Sequence, residues 1–60
     1  MKKNTYEVRY RVPLKKYGVV ERRSAKVVVA CRDEAQVLAA ERVAQYEGAN
    51  ILMLRCLKKA

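Results

Sequence analysis

Residues 6–12, YEVRYRV, alternate strictly between apolar and charged side chains. A period of two is typical of a β-strand, in which successive side chains point to opposite faces of a sheet. Such a strand has one face against a core and one toward solvent, so other elements must cover the apolar side. Tyr6 and Tyr10 share the parity of Val8 and Val12, and we therefore expect both rings to point inward.

A second extended segment, 19–31, follows a turn in which Gly18 supplies the position with positive φ. Its later half alternates again, with Val27 and Val29 on one face. The two segments predict an antiparallel hairpin. The polar section 21–23 leaves two alternatives open, a bulge or a hairpin end that projects beyond the core.

The run 34–47 contains neither Gly nor Pro and predicts the single helix. Asp33 is the expected N-cap, with Gln36 in the reciprocal position of a capping box, and Gly48 ends the helix. Residues 35, 38, 39, 43 and 46 form an apolar stripe that can pack on the sheet.

A second helical stripe, Val37, Ala40 and Ala44, lies roughly opposite the first. It is either incidental, because alanine is a good helix former, or the contact surface of a homodimer. A dimer would suit the chain, since a 60-residue domain buries only about 60% of its unfolded surface.

The last apolar run, 50–57, completes a β-β-α-β order. Pairing of the third strand with the first gives a three-stranded antiparallel sheet of order 2-1-3, with one helix packed on one face and a right-handed crossover. We therefore predict one small α+β domain spanning residues 1–60.

Catalytic equipment is absent from the sequence. The chain has no His, no Gly-rich phosphate loop, and two cysteines that are 25 positions apart, Cys31 and Cys56. We expect both to be reduced, small buried side chains, and we expect no enzyme activity, metal or cofactor. The longest apolar run, 51–54, is too short for a membrane span, and no secretory signal is recognisable, so the expected location is cytoplasmic.

The net charge of +8 is unevenly distributed. Residues 1–32 contain ten basic and two acidic side chains, whereas 33–47 contain one basic and four acidic side chains. This asymmetry indicates an anionic partner, and nucleic acid, DNA or RNA, is the partner we predict. Docking to an acidic protein, as an adaptor or inhibitor, is the alternative. The candidate binding residues are the hairpin group Lys15, Lys16, Tyr17, Arg22 and Arg23, together with Arg9, Arg11 and Lys26 on the sheet.

These hairpin cations have one further interpretation, a solvated edge that resists aggregation. The basic hairpin, the run 26–30 (KVVVA) and the helix containing Glu34-Ala35 also resemble small ribosomal-type β-β-α-β domains. The resemblance covers about half the chain. The basic stretch that such families have between helix and last strand is missing, because 47–50 reads EGAN.

Overall fold

The computed structural model describes residues 2–60 and has four elements in the predicted order. The three strands form one antiparallel sheet in which the first strand lies between the second and the third, and the helix covers one of its faces. This confirms the predicted small α+β fold. The elements are β1 (Asn4–Leu14), β2 (Val19–Val29), α1 (Arg32–Ala44) and β3 (Asn50–Lys58).

The β1–β2 hairpin has a continuous register from Asn4 opposite Val29 to Leu14 opposite Val19. The section 21–23 therefore contains no bulge. A four-residue turn closes the hairpin, with Gly18 at φ 66° and its amide donating to the carbonyl of Leu14 at 3.0 Å. The positive φ explains the glycine, because other L-residues adopt it only at a cost.

The bulges lie instead between β1 and β3, where the register shifts at Thr5/Tyr6 and again at Arg9/Tyr10. At the second shift Met53 pairs with Arg9 and Ile51 pairs with Tyr10, so Leu52 has no partner of its own. A bulge re-aims side chains and bends the strand. Here it brings Leu52 to the face of the sheet that α1 leaves uncovered, beside the side chains of β2.

The core is thin and lies between α1 and β1. Tyr6 and Tyr10 are buried, as their parity predicts, and the ring of Tyr10 stacks on that of Tyr46 with centroids 6.3 Å apart. The two residues of the helix that are fully buried are both alanines. Their small side chains let the helix backbone approach the sheet closely. The buried residues are Tyr6, Val8, Tyr10, Val12, Val29, Ala35 and Ala39.

The N-terminus of α1 differs from the prediction by two residues. The helix begins at Arg32, and the N-cap is Cys31, whose extended backbone makes no side-chain cap hydrogen bond. Asp33 lies in the first turn, where it interacts with the helix dipole rather than capping it. The carboxylate of Glu34, not the amide of Gln36, reaches back and accepts the amide of Ala30 at 3.4 Å. The chain leaves β2 directly into the helix, which moves the cap toward β2.

The C-terminus of α1 also comes early, at Ala44 rather than Glu47. The next turn tightens, with the amide of Tyr46 donating to the carbonyl of Val43 at 3.0 Å. This tightening places the ring of Tyr46 on the core, a tertiary contact that outweighs helix propensity. Gly48 still has positive φ, 76°, as expected of the residue that redirects the chain.

The molecule is elongated, with principal extents of 43 × 17 × 11 Å. Its radius of gyration is 12.6 Å, whereas about 10 Å is typical of a compact domain of this length. Among residues 2–60, no helix is long and apolar enough to cross a membrane.

Candidate nucleic-acid interface

The sheet face opposite α1 is uncovered, and we call it the open face. Odd-numbered side chains of β1 share it with even-numbered side chains of β2, and β3 adds Arg55 opposite Glu7. Five cations and one carboxylate on this face leave a net charge of +4. Lys58 extends the basic area at the rim, opposite Thr5. The cations of the open face are Arg9, Arg11, Arg22, Lys26 and Arg55.

Arg11 and Arg22 lie directly opposite each other on neighbouring strands. Like charges in this relation destabilise an antiparallel pair. Within residues 2–60, ion pairs involve Glu7, Glu21 and Glu47, and none of them reaches either arginine. The fold therefore holds two uncompensated guanidinium groups together on an exposed surface.

The neighbouring part of the face is better balanced. The carboxylate of Glu7 lies 3.3 Å from Nε of Arg9 and 2.9 Å from Nε of Arg55, and its side chain is only 14% exposed. Lys26 stands opposite Glu7 on β2. One shared carboxylate cannot neutralise three cations, although it pairs with both Arg9 and Arg55.

Apolar side chains of β3 lie beside both groups of cations. Leu52, which is 51% exposed, lines a shallow depression together with Val20, Arg11 and Arg22. Met53 lines the adjoining depression, of about 460 Å³, with Arg9 and Ser24 among its other neighbours. Aliphatic surface beside guanidinium groups can pack against the flat face of a base while the cations bind phosphate.

The structure does not bring the predicted hairpin group into one loop. Only Lys15, Lys16 and Tyr17 lie in the turn, because Arg22 and Arg23 lie within β2, on opposite faces of the sheet. Nζ of Lys15 is 2.8 Å from the carboxylate of Glu47, and Nζ of Lys16 is 5.8 Å from the centroid of the Tyr17 ring. The cations of the turn already have internal partners.

Arg23 lies on the helix side of the sheet, apart from the other candidate residues. Its guanidinium pairs with Glu21 and lies 4.9 Å from the centroid of the Tyr46 ring. The hydrogen bond to Glu21 raises the pKa of Arg23 above its usual range, with a smaller opposing effect of desolvation. Arg23 is therefore a charged residue that packs over the core edge, and sequence spacing gives no signal of that contact.

The remaining predicted residues are exposed. Val37, Ala40 and Ala44 of the second helical stripe are accessible, Val37 to 58%. Cys31 and Cys56 are free thiols, and both are exposed rather than buried, because Cys31 caps the helix and Cys56 lies on the edge strand β3. Within residues 2–60, no group of three or more His, Cys, Asp or Glu side chains could hold a metal ion.

Arg9, Arg11 and Lys26 lie on this face, as their positions in the sequence predicted. The sequence did not predict that Leu52 and Met53 add apolar surface to it. The only available signal was the uninterrupted apolar run of β3, which has no period-two pattern from which a face could be assigned. Comparison of the chain with protein-family models, with curated proteins and with solved structures found no match.

Proposed function

We propose that this chain is a non-enzymatic nucleic-acid-binding module that uses its open face. The observation that supports this most strongly is the pairing of Arg11 with Arg22, two uncompensated guanidinium groups on adjacent strands. A bound phosphate would offset their repulsion with charge-assisted hydrogen bonds. Phosphate contacts of this kind supply most of the affinity of non-specific nucleic-acid binding.

The two sides of the face have different roles in this proposal. In this arrangement Arg11 and Arg22 bind phosphate. The neighbouring side chains of Leu52 and Met53 pack against a base or a sugar. Tyr6 and Tyr10 are buried, so no aromatic platform contributes base stacking on the sheet. Binding should therefore depend on the backbone of the nucleic acid more than on its sequence.

The turn has a secondary role. Lys15 can leave its ion pair with Glu47 for a phosphate at little cost, since exposed pairs contribute about 0–1 kcal/mol. Tyr17 is 69% exposed and remains available for an unpaired base. We expect the turn to strengthen binding that the open face establishes.

Three charge-matched double variants test this assignment. Arg11→Ala/Arg22→Ala removes two positive charges from the open face, Lys15→Ala/Lys16→Ala removes two from the turn, and Lys2→Ala/Lys3→Ala removes two that precede β1. Oligonucleotide affinity is measured by fluorescence anisotropy at several salt concentrations, with single-stranded and duplex probes. Loss of two phosphate contacts should flatten the slope of log affinity against log salt by about 1.8 for duplex DNA, or about 1.4 for single strands.

The open-face variant should show this full change, and the Lys2/Lys3 variant should show little. Equal losses in all three variants would mean that only net charge matters, and would contradict a localised site. If the wild-type chain binds no oligonucleotide at low salt, the function proposed here is wrong. Binding of an acidic protein by the same arginines then becomes the better explanation.

A further inference from the structure

The two edges of the sheet differ in how they are protected. Natural proteins blunt sheet edges with bulges and covering side chains, because an unpaired edge is a template for another strand. On β3, the register with β1 shifts twice, and a guanidinium nitrogen of Arg32 donates to the carbonyl of Leu54 at 3.0 Å. On β2, the register runs unbroken over all eleven residues. The edge of β2 is therefore the more open to another strand, above all at Val27–Val29, beyond the charged side chains within residues 21–26.

Apolar surface accompanies the C-terminal half of this edge. Val29, Val37 and Leu38 line a shallow hollow between β2 and α1. Val28, on the other side of the strand, is 57% exposed. An incoming strand at this position would cover apolar side chains on both faces of the sheet while it pairs with the backbone of β2.

The charges beside this edge are arranged about Leu38. The hollow that contains Val29 also contains Asp33 and Glu34. A second hollow contains Val27, with Glu41 and Arg42. We call the side of α1 that lines these two hollows, next to the edge of β2, the flank. Leu38 lines both hollows, so it lies level with Val28, between the acidic end of the flank and the end that contains Arg42.

We infer that the edge of β2 pairs antiparallel with β2 of a second copy of this chain, about a two-fold axis at Val28. In antiparallel pairing, opposed residues point to the same face, so Val27 would oppose the partner's Val29 and both helices would lie on one side. The axis brings the two copies of Leu38 together. It also places Glu34 of each copy next to Arg42 of the other, so that one pair of opposite charges forms twice across the axis, with Glu41 as an additional acidic neighbour of Arg42.

The spacing of the elements permits these contacts. Strands are ~4.8 Å apart, so two helices centred on the two β1 strands would be ~14 Å apart. That is wider than direct helix packing, at ~8–10 Å, and it leaves room for the leucine side chains and for the long Glu34 and Arg42 side chains. The contact differs from the Val37/Ala40/Ala44 stripe of the sequence prediction, with which it shares only Val37.

The chain exposes more surface than a typical monomer of its mass, as a chain that pairs with a second copy would. Its accessible surface is 4545 Å², whereas a monomer of 6.9 kDa typically exposes about 4,000 Å². The dimer would join the two sheets through Val27–Val29 at the C-terminal end of each β2, with both open faces on the same side. The inference does not depend on nucleic-acid binding, because it uses neither Arg11 nor Arg22.

The test uses sedimentation velocity of the full chain over a concentration series. The wild type should dimerise, and Leu38→Glu should be monomeric. Glu34→Arg and Arg42→Glu should each weaken dimerisation at least about tenfold, because each places like charges across the axis twice. Lys59→Glu, which changes the charge as much as Arg42→Glu does, is the control and should dimerise normally. Circular dichroism establishes that every variant is folded.

Mixing provides the decisive measurement. When Glu34→Arg and Arg42→Glu are combined in equal amounts, the two variants should form a heterodimer of wild-type affinity, because both contacts across the axis then join opposite charges. A monomeric wild type, or failure of the mixture to recover, would overturn the inference. The inference would also be overturned if Ala44→Arg dissociated the dimer and Leu38→Glu left it intact. That result would assign the interface to the second helical stripe, Val37, Ala40 and Ala44.

Discussion

Two glycines have similar backbone angles and different surroundings. Gly18 has φ 66° and open space where a Cβ would lie, whereas Gly48 has φ 76° and a Cβ there would be 3.1 Å from Cγ of Pro13. The first position needs glycine for its conformation alone. The second needs it for its conformation and for the close approach of the α1–β3 connection to the end of β1.

Gly18→Ala should therefore cost about 1 kcal/mol of unfolding free energy, the penalty of a left-handed L-residue. Gly48→Ala should cost about 1 kcal/mol more, because the rigid proline ring resists displacement. Urea denaturation measures both. In a Pro13→Ala background the difference between the two substitutions should shrink. Equal costs in the wild-type background would mean that the contact with Pro13 is unimportant.

Single residues also show where parity is informative. The inward direction of Tyr6 and Tyr10 follows from their parity with Val8, because a slip of one residue would expose every apolar side chain of the strand. Parity equally separates Arg22 from Arg23. It does not reveal that Arg23 stacks on Tyr46, a contact between residues far apart in the sequence.

The helix has a weakness at its first turn. Cys31 is the N-cap, in an extended conformation suited to capping, and its side chain makes no cap hydrogen bond. Serine and aspartate are good caps because their oxygens accept an amide of the first turn. Here that contribution is missing.

Cys31→Ser should accordingly raise the unfolding free energy by about 0.5–1 kcal/mol, since the hydroxyl can accept the amide of Asp33 or Glu34. Thermal denaturation at fixed protein concentration measures the change. Cys56→Ser is the matched control, because Cys56 is an exposed thiol on a strand with no free helix amide nearby. If the two variants are equally stable, the serine does not cap the helix.

Elements were predictable in kind and less so in extent. The helix exists because 34–47 lacks breakers, and it stops at Ala44 because Tyr46 packs on Tyr10. No local preference encodes that contact. The bulge at Leu52 is a comparable case, since it depends on how β3 is matched to β1.

At the scale of the whole molecule, the core is thin, and the inferred pairing of two copies along β2 would add to its stability. A ligand that binds only the folded state stabilises it by mass action, and a second copy acts in the same way. Within residues 2–60, the core of the monomer has seven buried residues, all of them hydrophobic. We therefore expect the stability of the wild type to change with its concentration.

Where dissociation and unfolding are coupled, a tenfold increase in protein concentration should raise the Tm of the wild type by about 6 °C. The Tm of Leu38→Glu should stay constant over the same range. Differential scanning calorimetry at several concentrations measures both. A wild-type Tm that is independent of concentration would indicate that the folded monomer is stable without a partner.

The sequence by itself determined the order of elements and the faces on which Tyr6, Tyr10, Arg9 and Arg11 lie. These properties follow from short-range periodicity, which a strand of seven alternating residues expresses completely. The tertiary structure alone decided which cations are uncompensated. Lys15 pairs with Glu47, 32 positions away, and Arg11 meets Arg22 only through the register of the hairpin. Charge compensation depends on distances in space between residues that the chain separates, and for that reason composition could indicate an anionic partner but not the surface that would bind it.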